Sequence, residues 1–297
     1  MRILIVGASG VIGSKIRTNF LSEKFELTST FFSHKLNSEN EYQLDIREKS
    51  DVEKIFLKFQ PDIVFHTSAI TNIDLCENDH KLAESINILG TENIIRCSEK
   101  FDSKLIYVST SYVFDGTKKQ YFENDETNPT TYYGKTKEIS EKRIIDSNLD
   151  YLILRTDQPY CWIEPWQHSN SVLRVINTLK VKQNHKEILD WYNTPTYVPN
   201  FVEVTKKLIL NKKSGIFHLV GSDYINRFDW SIKICKYFNL NSKLIIPIKS
   251  QELNLSAKRV NVNLSNKKIF NELGIQMIGI DEGLKAMVND KNRYQNE

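Results

Sequence analysis

Two adjacent tyrosines and two lysines lie in the stretch PTTYYGKTK, residues 129–137. Side chains three or four residues apart share a helix face, so Tyr133 and Lys137 would face the same way. Tyr132 and Lys135 form a second pair at helical spacing, which stays open. A phenol has a pKa of about 10, and a neighbouring ammonium group lowers that pKa by stabilising the phenolate. The spacing therefore predicts a proton-transfer pair, for which Tyr133 and Lys137 are the favoured residues.

A hydroxyl group that orients a substrate oxygen would complete such a site. The stretch YVSTSYVFDG ends a predicted strand and offers Ser109, Thr110 and Ser111. A tyrosine and a lysine on an amphipathic helix are common in themselves. The pair therefore indicates catalysis only together with this hydroxyl cluster and with a cofactor site elsewhere in the chain.

A glycine loop, ILIVGASGVIG, begins the chain and separates a predicted strand from a predicted helix. In dinucleotide-binding βαβ units, such glycines permit the tight turn, the approach of the backbone to a diphosphate and close helix–strand packing. The free N–H groups and the dipole of the helix N-terminus then hold the diphosphate. The predicted cofactor-binding residues of this loop are Gly7, Ser9, Gly10, Val11, Ile12 and Gly13.

The end of the second predicted strand indicates which dinucleotide is bound. NAD sites place an acidic residue there for the ribose 2′-hydroxyl, whereas this chain has Ser33, His34 and Lys35. Because basic side chains attract a 2′-phosphate, NADP(H) is favoured and NAD(H) is the alternative. Asp45, with Ile46 beside it, is a candidate for contact with the adenine, although a surface aspartate fits the sequence nearly as well.

Alternating strands and helices would position these residues. Apolar runs predict strands over residues 2–8, 26–32, 61–69, 104–110 and 149–157. Helices are predicted between them over residues 12–22, 50–59, 80–100 and 131–147. This alternation, with strands that are almost continuously apolar, is typical of a parallel sheet covered by helices on both faces. The predicted fold class is therefore α/β, with a doubly wound parallel sheet.

The alternation weakens after residue 157. Residues 158–170 read as an aromatic loop, 187–200 as a short strand followed by a loop, and GIFHLVG as a strand. Further helices are predicted over residues 171–183, 227–238, 264–275 and 280–288. The predicted organisation is a nucleotide-binding domain over 1–157, a smaller substrate-binding domain mainly over 158–290, with some segments returning to the first domain, and a polar tail over 291–297.

Composition excludes several classes of protein. The 297 residues carry a net charge of +3 without a long basic block, which argues against a nucleic-acid partner. No apolar run of about 18 residues predicts a membrane span, and no signal peptide is evident. The four cysteines are scattered without a CxxC pair, so free thiols in the cytoplasm are expected and no metal site is predicted.

Several motifs together resemble the extended short-chain dehydrogenases/reductases, and among them the dTDP-4-dehydrorhamnose reductase type. These motifs are the glycine loop, STSYVFDG at 109–116, YYGKTK with acidic residues and a proline before it, and LRT at 154–156. The similarity is strongest over residues 1–157 and thins afterwards. The resemblance implies a Rossmann domain followed by a smaller carboxyl-terminal substrate domain.

The same resemblance implies a catalytic triad of Thr110, Tyr133 and Lys137, and it places Ser68 and Ala69 against the cofactor. The implied reaction, in deoxysugar biosynthesis, is hydride delivery to the 4-keto carbon of a nucleotide-linked deoxysugar. Tyr133 would protonate the resulting alkoxide. The implied partner is this nucleotide sugar, and a homodimer is left open.

The chain also departs from the family. Ser111 stands where such reductases usually carry an acid, and the Asp–Glu pair of the related dehydratases is missing. An epimerase with tightly held NAD stays open, as does a non-catalytic, NADP-binding regulatory subunit of a methionine adenosyltransferase. The aromatic residues after 157, among them Trp162 and Trp166, could either stack on the substrate or pack in the core. The candidate substrate contacts are Ser111, Trp162, Trp191 and Arg259, the last as a ligand of a diphosphate.

Overall fold

A central parallel sheet of seven strands organises the protein, which a computed structural model describes over residues 1–21, 25–36 and 39–294. The strands of these residues are β1 (Arg2–Val6), β2 (Glu26–Phe31), β3 (Glu41–Gln43), β4 (Ile63–His66), β5 (Lys104–Thr110), β6 (Tyr151–Thr156), β7 (Pro159–Tyr160), β8 (His185–Ile188), β9 (Tyr192–Asn193), β10 (Thr196–Tyr197), β11 (Gly215–His218), β12 (Ile225–Asn226) and β13 (Ile245–Ile248).

Helices cover both faces of this sheet. They are α1 (Val11–Leu21), α2 (Lys49–Phe59), α3 (Ile73–Asn78), α4 (His80–Ala83), α5 (Thr91–Lys100), α6 (Tyr132–Ile145), α7 (Ser171–Lys180), α8 (Val198–Leu210), α9 (Arg227–Phe238), α10 (Lys267–Leu273) and α11 (Ile280–Tyr294). A π-helix spans Glu84–Gly90, and short 3₁₀ helices span Ser111–Val113, Ser242–Leu244 and Ser250–Glu252.

The order of the strands in the sheet is β3-β2-β1-β4-β5-β6-β11, and every neighbouring pair is parallel. The chain moves outward in one direction from β1 to β3 and in the other from β4 onward. A crevice opens outside the carboxyl ends of the strands at such a reversal, and ligands of this fold bind there. The predicted doubly wound, Rossmann-type parallel sheet is therefore confirmed.

The apolar strands supply two buried layers. In β1, Ile3 and Ile5 pack on the face covered by α1 and α8, while Leu4 and Val6 pack on the face covered by α2, α5 and α6. Successive side chains of a strand point to opposite faces, so only a continuously apolar strand can serve both layers. This requirement explains why these strands lack the alternation of polar and apolar residues.

The second half of the chain is joined to the first. Strand β11 pairs with β6 at the edge of the main sheet, and α8 packs against α1. Three two-stranded sheets lie beyond the main sheet: β7 with β10, β8 with β13, and β9 with β12. Helix α8 begins at Val198, inside the predicted loop of 187–200, with a proline in its first turn as is common at helix starts.

Two other segments differ from the sequence prediction. Residues 80–100 are helical throughout but form α4, the π-helix and α5 rather than one continuous α-helix. Helix α11 continues to Tyr294, so residues 291–294 of the predicted tail are helical, and residues 295–297 lie outside the described part of the chain. Within the described ranges, none of the helices has both the length and the apolar character that crossing a bilayer requires.

Candidate active site

Helix α6 presents Tyr133 and Lys137 on its buried face. The helix begins after Thr131, whose side-chain oxygen accepts a hydrogen bond from the backbone N–H of Gly134 at 3.1 Å. Tyr133 is 7% exposed and Lys137 is 2% exposed, so both side chains leave solvent together. The four-residue spacing therefore places Tyr133 and Lys137 on the same face of the helix, as helical geometry predicts.

Tyr132 points away from this face. Its phenol donates a hydrogen bond to Glu84, and its ring stacks on the His80 imidazole with centroids 3.5 Å apart. The Lys135 ammonium lies 5.8 Å from the centroid of the same ring. The alternative pair of Tyr132 and Lys135 thus lies on the outer side of α6, away from the strand ends.

Lys137 reaches across β5. Its ammonium donates to the carbonyl oxygen of Val108 at 2.8 Å and lies 3.9 Å from the centroid of the Tyr107 ring. Burial lowers the pKa of Lys137 to about 7, and the charge of Glu141 one turn later opposes only part of this change. A lysine that titrates near neutral pH in a buried position is typical of functional sites.

Thr110 is the hydroxyl that meets Tyr133. Burial raises the pKa of the Tyr133 phenol, and a hydrogen bond with the Thr110 side chain counteracts part of that rise. The Thr110 hydroxyl oxygen also accepts a hydrogen bond from the backbone N–H of Tyr112 at 3.2 Å, which fixes its position at the end of β5. Thr110, Tyr133 and Lys137 therefore lie together, as the resemblance implies.

The two hydroxyls on either side of Thr110 have other partners. Ser109 donates to the Glu141 carboxylate at 2.5 Å, within the buried ion pair of Glu141 and Arg155. Ser111 donates to a carboxylate oxygen of Asp157 at 3.0 Å. Thus one of the three candidate hydroxyls faces the phenol, and the other two connect to the neighbouring strand β6.

Asp157 lies beside the candidate site and was not singled out from the sequence. It is 3% exposed, accepts a hydrogen bond from the backbone N–H of Thr194 at 2.8 Å, and has its pKa raised by burial. Strand pairing aligns Thr156 of β6 with Thr110 of β5. The residues that follow these two, Asp157 and Ser111, therefore lie side by side and form their hydrogen bond. An acidic residue directly after a buried parallel strand is the signal that could have revealed it, because these carboxyl ends line the ligand crevice.

The glycine loop fits a dinucleotide diphosphate. Gly7 has φ +86°, and a Cβ there would lie 2.4 Å from the Ser68 hydroxyl oxygen. A Cβ on Gly13 would lie 2.3 Å from the Gly7 carbonyl oxygen, so the helix must approach the strand closely. Helix α1 begins directly after Gly10, and its first N–H groups have no partner within the helix. These features could form a cradle for an anion; Ser68 lies at its side, and Ala69 follows Ser68 in the chain.

The end of β2 lies beside this cradle, and none of its three candidate residues is acidic. A hydrogen bond joins the Ser33 hydroxyl to Nδ1 of His34 at 2.8 Å, and Lys35 is exposed. Asp45 forms an ion pair with Arg47 at 2.6 Å, and this contact lowers its pKa. The adjacent Ile46, 5% exposed, packs against Gly90, so close that a Cβ on that glycine would lie 2.6 Å from it.

A second group of candidate residues meets the triad from the carboxyl-terminal half. Trp191 is 8% exposed and belongs to the same buried cluster as Tyr133 and Tyr112. The guanidinium carbons of Arg227 and Arg259 lie 5.1 and 5.7 Å from the centroid of the Trp191 ring system. Arg259 is also paired with Asp74 at 2.5 Å. The structure therefore brings Ser111, Trp191 and Arg259 to the region of the triad.

Trp162 lies elsewhere. Its indole N–H donates to the carbonyl oxygen of Met287 at 2.7 Å, and its ring meets Phe238 edge-on. It packs on the hydrophobic cluster formed with α9 and α11, and not on the cluster that contains Tyr133. This position assigns Trp162 to packing, so we leave it out of the proposed substrate site.

Metal ligands do not assemble in this region. Across residues 1–21, 25–36 and 39–294, no three His, Cys, Asp or Glu side chains come together in a way that could hold a metal ion. All four cysteines fall within these ranges, and each is buried and free.

Reductases and a subunit of a different enzyme are among the known proteins to which the chain is similar. The dTDP-4-dehydrorhamnose reductase of Aggregatibacter actinomycetemcomitans is 28% identical, over 96% of this chain and 97% of its own length. Methionine adenosyltransferase 2 subunit beta of Bos taurus is 28% identical over 99% of this chain and 90% of its own. The crystal structure of dTDP-4-dehydrorhamnose reductase from Bacillus anthracis str. Ames in complex with NADP has a TM-score of 0.88 at 26% identity, covering 97% of this chain and 99% of that one.

The match to a family covers almost the whole chain. The family described as RmlD substrate binding domain matches residues 1–293 of the 297. This match confirms the resemblance found in the glycine loop, in STSYVFDG and in YYGKTK. The chain belongs to the RmlD substrate binding domain family, within the extended short-chain dehydrogenases/reductases.

Proposed function

We propose that the protein is an NADP(H)-dependent reductase of a nucleotide-linked 4-keto-deoxysugar. The observation that carries this proposal is the assembly of Thr110, Tyr133 and Lys137 at the carboxyl end of β5. Strand β5 pairs with β4, and β4 with β1, so the triad lies along the same sheet edge as the glycine loop. The similarity to two dTDP-4-dehydrorhamnose reductases supports the same reaction class.

The residues divide the chemistry between them. When bound, NADPH would supply a hydride for the carbonyl carbon of the sugar. The Thr110 hydroxyl orients the carbonyl oxygen, and Tyr133 donates its phenolic proton to that oxygen. Burial raises the pKa of Tyr133, so the phenol is protonated at neutral pH and is a weaker acid than a free phenol. It can still donate to the alkoxide that hydride addition forms, because an alkoxide is a stronger base than a phenolate. Lys137, when protonated, would stabilise the phenolate that remains and would hold the hydroxyls of the nicotinamide ribose.

The cofactor preference rests on the end of β2. An acidic residue there would bind the 2′-hydroxyl of NAD and repel the 2′-phosphate of NADP, and this chain has Ser33, His34 and Lys35 instead. The related Bacillus anthracis structure contains NADP. On the substrate side, Arg259 would contact the nucleotide diphosphate of the sugar, since guanidinium groups bind phosphate in bidentate fashion. Trp191, whose ring lies 5.7 Å from that guanidinium, would contact the substrate beside it.

Replacing Tyr133 tests the proposal. NADPH oxidation is measured against a panel of nucleotide-linked 4-keto sugars with the wild-type chain and with Tyr133→Phe. Removal of a general acid lowers kcat by about 10²- to 10⁴-fold, and NADPH binding should remain. Tyr132→Phe is the matched control, because that phenol lies on the outer side of α6 against Glu84. Equal turnover by Tyr133→Phe and the wild type would show that Tyr133 is not the proton donor.

Two alternatives have distinct outcomes in the same experiment. The similarity to methionine adenosyltransferase 2 subunit beta favours a non-catalytic role as a second candidate. NADPH binding without turnover on any sugar of the panel would support that role. An epimerase would instead retain NAD through purification and dialysis, which would contradict a reductase that exchanges NADP(H) in each turnover.

A further inference from the structure

A short segment of the carboxyl-terminal half lies on the glycine loop. Gln167 donates from its side-chain amide to the carbonyl oxygen of Ser9 at 2.8 Å and to the hydroxyl oxygen of Ser14 at 3.1 Å. Ser9 belongs to the glycine loop and Ser14 to the first turns of α1. Gln167 therefore ties together the two parts of the phosphate cradle from more than 150 residues away.

Trp166 joins the same loop to the end of β2. Its indole N–H donates to the Ser9 carbonyl oxygen at 3.3 Å. Its ring system is nearly parallel to the His34 imidazole, with an interplanar angle of 11° and centroids 6.1 Å apart. The indole of Trp166 thus contacts both Ser9, in the glycine loop, and His34, which is predicted to meet the 2′-phosphate.

Trp166 is more exposed than a residue that only packs in the core would be. Trp166 remains 37% exposed although its N–H and the neighbouring Gln167 fix it to the loop. Trp162, four residues earlier, packs instead on the hydrophobic cluster with α9 and α11. An aromatic face that is held in position but left open beside an anion cradle can contact the ligand of that cradle.

We infer that Trp166 is a cofactor-binding residue that, with His34, forms an aromatic wall against the adenosine ribose and 2′-phosphate of NADP(H). Gln167 is a positioning residue that holds the glycine loop in its diphosphate-binding shape. This inference rests on the proposed function for the identity of the dinucleotide. It extends the cofactor site to a part of the chain that the Rossmann pattern does not include.

Binding measurements on Trp166→Ala test the inference, with Trp162→Phe as the matched control. The dissociation constants of NADPH and of the fragment 2′,5′-ADP should both rise about five- to tenfold in Trp166→Ala, as expected for the loss of one aromatic contact. Trp162→Phe should bind both ligands like the wild type. Trp166→Phe keeps an aromatic face without the N–H and should recover part of the affinity.

Steady-state kinetics separate a binding role from a structural one. In Trp166→Ala the KM for NADPH should rise while kcat stays within about twofold, because the contact is made equally in the ground and transition states. Unchanged binding of 2′,5′-ADP by Trp166→Ala would overturn the inference and leave the proposed function standing. If the wild type binds NADPH but reduces no sugar, the proposed function fails and the inference stands. A wild type that binds no dinucleotide would overturn both.

Discussion

Lys137 is a lysine that the fold removes from water, and within the described part of the chain no carboxylate forms an ion pair with it. The residue is 2% exposed, and its ammonium group donates a hydrogen bond to the backbone carbonyl oxygen of Val108. Burial penalises the charged form, so the pKa falls from its ordinary 10.5 to about 7. Between these two values the unfolded chain binds more protons at this site than the native chain. The contribution of Lys137 to the free energy of unfolding therefore increases with pH across that window.

We expect NADPH binding to take up a proton at Lys137. The dinucleotide is anionic and its ribose hydroxyls would meet the ammonium, so binding should raise the pKa of Lys137 again. At about pH 8.5 the free protein holds this lysine mostly neutral and the complex should hold it charged. Calorimetric titrations in two buffers of different ionisation enthalpy measure the number of protons taken up.

Two variants assign that proton. Lys137→Met should abolish most of the uptake, whereas Lys135→Met, which removes an exposed lysine of the same helix, should leave it unchanged. Absence of uptake in the wild type at this pH would contradict a neutral Lys137 in the free protein. Uptake that persists in Lys137→Met would assign it to another group.

At the scale of elements, the site depends on how closely α6 approaches the turn after β5. Gly134 follows Tyr133, and a Cβ on it would lie 2.1 Å from the Tyr112 carbonyl oxygen and 3.0 Å from Cβ of Pro129. The nearest atom belongs to the main chain, so it cannot move aside as a flexible side chain would. The absence of a side chain at this position lets the helix bring Tyr133 to Thr110.

Gly134→Ala should therefore shift the helix and damage both stability and catalysis. Overpacking of this kind costs about 1–3 kcal/mol of unfolding free energy, measured by urea denaturation, and the displaced phenol should lower kcat. Lys135→Ala is the control on the same helix, because its side chain is exposed and alanine favours helices. Wild-type stability and turnover in Gly134→Ala would show that the close approach is not required.

The elements that could be predicted are those defined by local pattern. Continuous apolar runs predicted the strands, and the spacing of Tyr133 and Lys137 predicted their common face. Asp157 was not singled out from the sequence, and Trp166 was considered only for the substrate or the core, because their contacts depend on strand pairing and on packing between distant segments. The interruption of residues 80–100 by a π-helix was also not predicted, since all of these residues are helical and only the winding changes.

At the scale of the whole molecule, the two halves share one sheet and one buried polar network. Strand β11 closes the edge beyond β6, where Arg155 forms its ion pair with Glu141 at 2.6 Å. Arg155 also donates to His218 of β11 at 3.4 Å, and the backbone N–H of His218 donates to Glu123 at 3.1 Å. The division at residue 157 stays a prediction, and these contacts cross it.

The fragment of residues 1–157 should consequently fail to fold as a cooperative unit. It would lack β11, which covers the edge of β6, and α8, which packs on α1. Exposed sheet edges and apolar helix faces favour aggregation over a fixed native state. Near-ultraviolet circular dichroism and urea denaturation of the fragment, beside the full chain, measure this directly. A sharp, reversible unfolding transition with native-like aromatic signals would show instead that residues 1–157 form an independent domain and that the contacts of β11 and α8 add stability without being required for folding.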